Sequence, residues 1–288
     1  MHQPDSYPSL ACRVITLNPR ADNTCKLLSS LRQQGINATL FDAVDGRQGF
    51  PPLQTGERLD QRMAMLRRRS HLTATELGCY LSHLRAVREA YDQGYEFVCL
   101  LEDDVVIEPG FAAVLAELLP EQLDIVRFMA LKLRRRKLVK TLSAGVDLVR
   151  PERGTLGTQA YMLSRRGMEK FLAHASHIYE AIDHVLDHFF LFDLDTWLVE
   201  PHTAYELAGS SSVSKRETAA AAPGFRESLL YHPVKLWFSA RRHLYFWRKR
   251  AELYPNQWPV RRPGRSPRLR GKGPECRELL ATPGRSGD

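Results

Sequence analysis

The chain has 288 residues, of which 43% are hydrophobic and 26% are charged, and its formal net charge is +8. This composition predicts a globular protein with a substantial core and excludes a wholly disordered chain. No apolar run approaches the roughly 20 residues of a membrane-spanning helix, and the first residues lack the basic start and apolar core of a signal peptide. We therefore expect a cytoplasmic protein. The five cysteines are odd in number and dispersed, which favours reduced thiols over a disulfide framework.

The first elements predict a strand, a helix and a second strand, which together begin a βαβ unit. These elements are expected at residues 12–17 (strand), 26–34 (helix) and 38–41 (strand). Asp45 and Gly46 follow the second strand. We assign both to nucleotide binding, because a glycine at a strand end lets a ligand approach the backbone closely.

A long helix is predicted to begin at Thr73, since Thr73 and Glu76 have the spacing of a capping box, and to end before Gly94. Glu76 is a candidate catalytic base, with the capping box as its structural alternative. His83 is a candidate phosphate ligand or partner of an acid, with a buried core histidine as its alternative. Cys79 and His83 are one helical turn apart and could ligate zinc, but no second Cys/His pair accompanies them, so we expect no zinc site.

The most informative stretch is a run of three acids, Glu102, Asp103 and Asp104, inside an otherwise apolar segment at residues 97–107. Burying an unpaired carboxylate is costly, so three of them at a strand end predict a compensating cation. A divalent metal that carries a phosphate fits, because open α/β sheets bind ligands beyond the carboxyl ends of their strands. A solvated turn or a helix cap is the structural alternative, although apolar residues resume after the acids.

Strand alternation would place Glu102 and Asp104 on one face and Asp103 on the other. We therefore assign Glu102 and Asp104 to a divalent metal, Mn²⁺ or Mg²⁺, and Asp103 to the ribose of a nucleotide or to structural bonds. A cation held in this way could neutralise the charge that develops on a departing nucleoside diphosphate. A bend at the strand end would cancel this division of roles.

Later elements continue the alternation of strands and helices, which predicts an α/β fold with a mixed sheet flanked by helices. Strands are expected at residues 123–128, 157–164 and 196–199, and helices after Arg166 and at residues 182–190. Low-complexity residues after Gly209 mark a change of composition. We divide the chain into residues 1–11 (N-terminal extension), 12–209 (globular domain), 210–258 (basic aromatic helical segment for membrane association) and 259–288 (disordered tail).

The segment between Lys235 and Arg270 mixes arginines with tryptophan, tyrosine and phenylalanine. Basic side chains beside interfacial aromatics suit an anionic membrane surface, and the same mixture could stack on nucleic acid and neutralise its phosphates. We expect peripheral binding to the inner face of the cytoplasmic membrane and do not expect nucleic acid as the partner. A membrane-binding or nucleic-acid-binding protein without enzymatic activity is the alternative function.

Four segments, in this order and spacing, resemble glycosyltransferase family 25, the lipooligosaccharide-biosynthesis glycosyltransferases, which also has collagen-modifying relatives. The segments are Val14-Ile15-Thr16-Leu17, Phe41-Asp42-Ala43-Val44-Asp45-Gly46, Glu76-Leu77-Gly78-Cys79-Tyr80-Leu81-Ser82-His83 with the later Leu101-Glu102-Asp103-Asp104, and Gly157-Thr158-Gln159-Ala160-Tyr161. The second and third are the most specific.

The resemblance implies a GT-A-like, Rossmann-type sheet and an enzyme that transfers a hexose, galactose or glucose, from a UDP-sugar donor to a lipid-linked acceptor of lipooligosaccharide or lipopolysaccharide, with inversion. It also implies Asp183 as the base that takes the acceptor's proton, because Ala181-Ile182-Asp183-His184 resembles the family's late aspartate segment; a helix N-terminal acid is the alternative. The chain departs from the family at Asn18-Pro19-Arg20, where an arginine usually follows the first strand. A catalytically inactive relative is therefore a further alternative.

Overall fold

The computed structural model describes residues 9–143, 145–207 and 225–281, with side chains from residue 228 onward in the last range. The helices are α1 (Asp22–Gln33), α2 (Gln61–Arg68), α3 (Ala74–Asp92), α4 (Phe111–Leu118), α5 (Arg165–Ala175), α6 (Ile182–Asp187), α7 (Phe225–Arg248), α8 (Arg250–Leu253) and α9 (Pro274–Ala281). The strands are β1 (Leu10–Thr16), β2 (Ala38–Asp42), β3 (Arg58–Leu59), β4 (Phe97–Glu102), β5 (Val105–Ile107), β6 (Ile125–Arg127), β7 (Arg136–Thr141), β8 (Asp147–Pro151), β9 (Ala160–Ser164), β10 (His177–Ile178), β11 (Thr196–Glu200) and β12 (Ala204–Glu206).

Eight of these strands form one mixed sheet in the order β2-β1-β4-β9-β6-β11-β8-β7. β1 runs parallel to β2 and β4, so that Val14 lies beside both Leu40 and Leu101. β9 runs antiparallel to β4 and to β6, and β11 runs parallel to β6. The predicted α/β class, a mixed sheet flanked by helices, is confirmed. Because β1, β2, β4, β6 and β11 point the same way, their carboxyl ends meet at one edge of the sheet.

Helices cover both faces of the central strands, which explains why β4 is apolar at each position from Phe97 to Leu101 rather than at alternate positions. Val98 and Leu100 belong to a core cluster with residues of α3, α5 and α6. Cys99 and Leu101 belong to a second cluster with residues of α1 and α4. With both faces covered, the open part of the sheet is its edge, and that is where the three acids lie.

The acid run does not continue as one strand. β4 ends at Glu102, the chain turns at Asp103 and Asp104, and β5 leaves the main sheet to pair with β12. The strand alternation that motivated the assignment therefore ends at Glu102, since a period of two does not extend through a turn, and the assignment of Glu102 and Asp104 to a metal stays a prediction. The prediction that the acids stand at the carboxyl end of a buried strand agrees with the observed end of β4.

Residues 259–281 differ from the predicted disordered tail. Arg270 donates a backbone hydrogen bond to Leu131 (3.0 Å) and accepts one from Leu133 (2.8 Å), and the side chain of Cys276 is buried in a cluster with Leu133. The segment's proline, glycine and arginine content predicted disorder. Its order comes instead from pairing with a distant part of the chain, which local composition does not report.

The predicted boundary at residues 209 and 210 lies outside the described residues, together with residues 1–8 of the N-terminal extension. After this gap, α7 packs Phe238 and Tyr245 inward, and the guanidinium of Arg67 stacks over the Phe238 ring at 3.4 Å from its centroid. Among the described helices, none combines the length and the hydropathy of a membrane span.

Candidate active site

The first turn of α3 carries the predicted capping box. Thr73 Oγ1 accepts a hydrogen bond from the Glu76 N–H (3.1 Å), and the Thr73 N–H donates to Glu76 Oε2 (2.9 Å). Arg68 donates to the other carboxylate oxygen at 2.6 Å. Burial opposes ionisation of Glu76, but the bonds from Arg68 and Thr73 outweigh it and hold its pKa below the ordinary value. With both oxygens engaged, Glu76 has the contacts of its structural alternative.

The loop after β2 crosses α3 at very short range. A Cβ on Gly46 would lie 2.0 Å from the carbonyl oxygen of Ala74, and one on Gly78 would lie 2.7 Å from the carbonyl oxygen of Val44. Ser82 fastens this crossing, because its hydroxyl accepts from the Val44 N–H and donates to the Gly78 carbonyl, both at 2.8 Å. This contact between two protein segments requires a residue without a Cβ at position 46, and the part of Gly46 in nucleotide binding stays a prediction.

Asp45, the residue before this crossing, pairs with Arg47 near the surface. Arg47 Nη2 lies 2.7 Å from Asp45 Oδ2, and the Arg47 N–H donates to Oδ1 at 2.9 Å. These hydrogen bonds lower the pKa of Asp45 to about 2. Asp45 is thus ionised at neutral pH, and its part in nucleotide binding stays a prediction.

Glu102, at the end of β4, turns toward α3. Its Oε1 lies 3.4 Å from His83 Nε2 and accepts a hydrogen bond from the Thr158 hydroxyl at 2.7 Å. His83 is buried, and its Nδ1 lies 3.1 Å from the Tyr161 hydroxyl. Burial opposes ionisation of Glu102, but the bonds from His83 and Thr158 lower its pKa below the ordinary value. Glu102 is therefore an ionised carboxylate in a fixed orientation, as a metal ligand requires.

Asp103 turns toward β1 instead. The Thr16 hydroxyl donates to Asp103 Oδ2 at 2.5 Å, and the Asn23 side-chain amide donates to the Asp103 carbonyl at 2.8 Å. Burial raises the pKa of Asp103; the bond from Thr16 opposes that rise and the charge of Glu102 adds to it, so the pKa lies above the ordinary value. The segment after the turn at residues 18–20 is thus fastened to the acid run through Asn23.

Asp104 is buried, with 6% of its surface exposed. Its backbone oxygen accepts a hydrogen bond from the Leu207 N–H at 2.9 Å, so the end of β12 covers the acid turn. Glu206, the last residue of β12, binds the guanidinium of Arg268 and the hydroxyl of Ser266. The hydrogen bond to Glu206 raises the pKa of Arg268, and the charges of Asp104 and Glu102 add to this rise. The C-terminal segment therefore brings a cation to the carboxyl end of β4, where Glu102, Asp103 and Asp104 lie. We call this part of the sheet the acid edge.

Four of the predicted acids interact electrostatically with one side chain, the thiol of Cys79. Burial raises the pKa of its thiol, and neighbouring negative charge raises it further. The charges come from Glu102, Asp183, Asp104 and Glu76. Asp183 stands in the first turn of α6, far along the chain from the acid run, yet it shares this neighbourhood. The predicted metal ligands and the predicted base therefore lie within electrostatic range of the same thiol.

The donor atoms at the acid edge fit a hard divalent cation. Carboxylate oxygens are the ligands that Mn²⁺ and Mg²⁺ prefer, and the side chains that bond Glu102 and Asp103 are an imidazole and hydroxyls, not lysine or arginine. Arg268, the cation near these acids, is already paired with Glu206, so the negative charge of this largely buried edge favours a bound cation. Glu102 and Asp104 are the residues that would hold it.

Several groups at this edge were missed by sequence reasoning. Thr16, Thr158 and Tyr161 lie inside the segments that carry the family resemblance, so a search for hydroxyls at strand ends facing the acids could have found them. No local signal indicated Arg268, because its position depends on the path of the C-terminal segment.

The model of one protein family, glycosyltransferase family 25 (LPS biosynthesis protein), matches residues 12–186. This chain belongs to glycosyltransferase family 25. Glu76, Glu102, Asp104 and Asp183 all fall inside the matched range, whereas Arg268 lies outside it. The matched range includes the acid turn and ends before the basic C-terminal segment.

Individual members of family 25 are similar to the chain over a little more than half of its length. The lacto-N-neotetraose biosynthesis glycosyltransferase LgtE of Neisseria gonorrhoeae is 30% identical over 174 residues, which cover 55% of this chain and 58% of that protein. A probable inactive glycosyltransferase 25 family member 3 of Bos taurus is 31% identical over 167 residues, covering 56% and 28%. The chain thus matches less than two thirds of the length of either relative. Among solved structures, A197 from STIV covers 69% of this chain and 85% of its own, with 14% identity and a TM-score of 0.39, which carries no inference.

Proposed function

We propose that this chain transfers a hexose, galactose or glucose, from a UDP-sugar to a saccharide acceptor of lipooligosaccharide or lipopolysaccharide. The observation that carries the proposal is the acid turn at the carboxyl end of β4, where Glu102 is oriented by His83 and Thr158 and is followed by the buried Asp104. Ligands of open α/β sheets bind at that end of the strands. Family membership supplies the reaction class, and the acid cluster supplies the groups that such a reaction needs.

Glu102 and Asp104 are proposed to hold Mn²⁺ or Mg²⁺, which when bound would neutralise the charge on the departing diphosphate. His83 and Thr158 orient Glu102, and Asp103 bonds Thr16 at the end of β1 and Asn23 in the first turn of α1.

Asp183 is the better candidate for the base. Its Oδ1 accepts a hydrogen bond from the neighbouring His184 N–H at 2.8 Å, whereas both oxygens of Glu76 are engaged by Arg68 and Thr73. In an inverting transfer Asp183 would take the proton of the acceptor hydroxyl while that oxygen bonds to the anomeric carbon. The bond from the anomeric carbon to the diphosphate oxygen breaks, and UDP leaves with its electrons.

Calorimetry of the full chain with UDP, UDP-galactose and UDP-glucose, with and without Mn²⁺ or Mg²⁺, tests this proposal. We expect metal-dependent binding that Asp104→Asn weakens at least about 100-fold, since a bound metal stabilises phosphate charge by several kcal/mol. Asp92→Asn is the matched control, because Asp92 is an exposed acid at the far end of α3. Absence of binding with either metal, or equal binding by Asp104→Asn and wild type, would overturn the proposal.

A transfer assay with the bound donor then separates an enzyme from an inactive relative. An active enzyme releases UDP when a galactose- or glucose-terminated oligosaccharide acceptor is added. Metal-dependent UDP binding without any donor turnover would favour the inactive alternative, whose structural motivation is the turn at Asn18-Pro19-Arg20.

We further propose that α7 lies on the anionic inner face of the cytoplasmic membrane. The helix turns an apolar stripe outward: Leu229, Leu236, Trp237, Leu244 and Trp247 are between 52% and 72% exposed. Lys235, Arg241 and Arg248 accompany the stripe on the same helix. An apolar face with tryptophan and basic flanks is typical of helices that lie in the membrane interface. This surface would hold the enzyme beside a lipid-linked acceptor.

Sedimentation with vesicles tests the membrane proposal. We expect the chain to bind phosphatidylglycerol vesicles more tightly than phosphatidylcholine vesicles, and the double variant Leu236→Glu/Trp247→Glu to lose this binding while its UDP affinity stays. Leu138→Glu is the control, because Leu138 is also apolar and 47% exposed but lies on β7. Equal vesicle binding by all variants would contradict the proposal. Binding of the chain to a nucleic-acid probe instead of to vesicles would also contradict it.

A further inference from the structure

Three side chains of different types meet at the acid edge. The donor atoms of Cys79, His83 and Glu102 all lie within 4.8 Å of one another. Cys79 and His83 stand one turn apart on α3, so they share a face, and Glu102 reaches them from the end of β4. The sequence analysis expected no zinc site because no second Cys/His pair accompanies the first. In the fold, the third donor is a carboxylate from another element.

The spacing of these donors is close to that of a tetrahedral zinc site. Zinc lies about 2.0–2.3 Å from nitrogen, oxygen and sulfur ligands, so the ligand atoms of a tetrahedral site are roughly 3.5 Å apart. His83 Nε2 and Glu102 Oε1 are already separated by 3.4 Å. The Cys79 sulfur lies within 4.8 Å of both atoms, so closing to the roughly 3.5 Å of a tetrahedral site would complete a three-ligand set with one open position.

The outer contacts of the trio are those that metal ligands usually have. The second ring nitrogen of His83 lies 3.1 Å from the Tyr161 hydroxyl, which fixes the ring and directs Nε2 toward Glu102. The Thr158 hydroxyl orients the Glu102 carboxylate at 2.7 Å. Both orienting groups belong to the Gly157–Tyr161 segment, so one stretch of chain supports two of the three donors.

We propose that Cys79, His83 and Glu102 form a zinc-binding site. Binding would form a zinc–sulfur bond and break the Cys79 S–H bond, with the proton released to solvent. Asp104 and Asp183 lie near enough to act electrostatically on the thiol, and their charge adds to the attraction for a cation. The mixed sulfur, nitrogen and oxygen donors distinguish this site from an all-oxygen site, because a thiolate selects zinc over magnesium.

Glu102 would belong to both metal sites, and this consequence rests on the proposed function. Zinc on Cys79, His83 and Glu102 would withdraw a carboxylate oxygen from the Mn²⁺ or Mg²⁺ that the donor requires. Zinc is then expected to weaken metal-dependent UDP binding by the wild type. In Cys79→Ser, zinc should weaken UDP binding by a smaller factor.

The test uses the metal-free full chain with zinc alone and then with cobalt. We expect one zinc per chain by equilibrium dialysis, and with cobalt an absorption band from charge transfer between thiolate and metal. Cys79→Ser should lose the band, and Cys79→Ser and His83→Gln should each bind zinc at least about 10-fold more weakly, since even outer-shell changes cost that much. Cys25→Ser is the matched control, because Cys25 is an exposed free thiol on α1.

Thermal unfolding without metal establishes that each variant is folded, and the rise in melting temperature with zinc gives a second measure of binding. No zinc uptake by the wild type, or uptake and a cobalt band that persist in Cys79→Ser, would overturn the proposal. The outcome is separable from the proposed function, because zinc is measured without donor. Failure of UDP to bind would leave the zinc result standing.

Discussion

Opposite edges of the same sheet carry buried acids in contrasting surroundings. At the amino end of β6, Asp124 is fully buried and accepts hydrogen bonds from Arg166 (2.5 Å), Lys170 (2.7 Å) and the Asp195 N–H (3.0 Å). Burial opposes its ionisation, but these bonds outweigh burial and keep its pKa below the ordinary value. A carboxylate with two cationic partners is a structural group.

At the carboxyl end of β4 the acids have different partners. Glu102 meets an imidazole and a hydroxyl, Asp103 meets a hydroxyl, and the pKa of Asp103 is raised where that of Asp124 is lowered. Asp124 is bonded directly by two cationic side chains, whereas the cation near the other edge, Arg268, is paired with Glu206. In the sequence, both groups are acids beside apolar strands and look alike. The comparison indicates that the partners of an acid in the folded protein distinguish a structural acid from a functional one.

The largest expected effect concerns the base. Asp183→Asn should lower the transfer rate by roughly 10²–10⁴-fold, the usual contribution of a general base, with UDP affinity unchanged. Glu76→Gln should lower the stability of the fold, because Arg68 then loses its carboxylate partner. Steady-state kinetics and thermal unfolding of both variants decide this. Full activity in Asp183→Asn, or lost activity in a stably folded Glu76→Gln, would reverse the two assignments.

The next effect tests the structural edge. Asp124→Asn removes the charge that Arg166 and Lys170 share, and should lower the free energy of unfolding by about 2–3 kcal/mol, as expected for hydrogen bonds to charged groups. Urea denaturation measures this loss. Metal-dependent UDP binding, measured well below the unfolding midpoint, should match the wild type. A variant with unchanged stability but lost UDP binding would remove the distinction between the edges.

A third prediction concerns the crossing that supports the acid edge. Gly46→Ala should lower the free energy of unfolding by roughly 1–3 kcal/mol, the range for overpacking, because its Cβ would lie 2.0 Å from the Ala74 carbonyl oxygen. Gly110→Ala is the control, since no atom would lie within 4 Å of its Cβ and its φ is −88°. Equal stability of the two variants by urea denaturation would show that the crossing is not tightly packed.

The smallest expected effect is that Asp103 and Asp124 change the free energy of unfolding in opposite directions at neutral pH. The folded pKa of Asp124 lies below the ordinary 3.8, so its stabilisation is present above that pH and is lost as the pH falls through the folded pKa. The folded pKa of Asp103 lies above 3.8, so its ionised form costs stability at neutral pH and this cost vanishes in acid. Asp103→Asn should therefore stabilise at neutral pH and Asp124→Asn destabilise. The Asp103→Asn difference should vanish as the pH falls to 3.8, whereas the Asp124→Asn difference should shrink only below pH 3.8. Urea denaturation of both variants between neutral and acid pH measures the two differences, and differences of the same sign would contradict the account.

Much of this edge was predictable because its signals are local. The apolar run of β4, the Thr73–Glu76 capping box and the position of the acids all follow from side chains within one or two turns of each other. The bend at Asp103 and Asp104 was not predictable, since it arises where β5 leaves the sheet to pair with β12.

Long-range pairing explains the other differences. Arg268 reaches Glu206 only because the C-terminal segment pairs its backbone with Leu131 and Leu133. Gly46 is explained by the proximity of Ala74, and the carboxylate beside Cys79 and His83 by the end of another element. Sequence spacing reports neighbours on one helix or strand, and each of these contacts joins two elements.

A crystal structure of the full chain with UDP and Mn²⁺ tests the central claim most directly. We predict a cation about 2.0–2.3 Å from a carboxylate oxygen of Glu102 or Asp104, bound also to the diphosphate. A diphosphate bound away from the carboxyl end of β4, or a cation that contacts neither acid, would contradict the account.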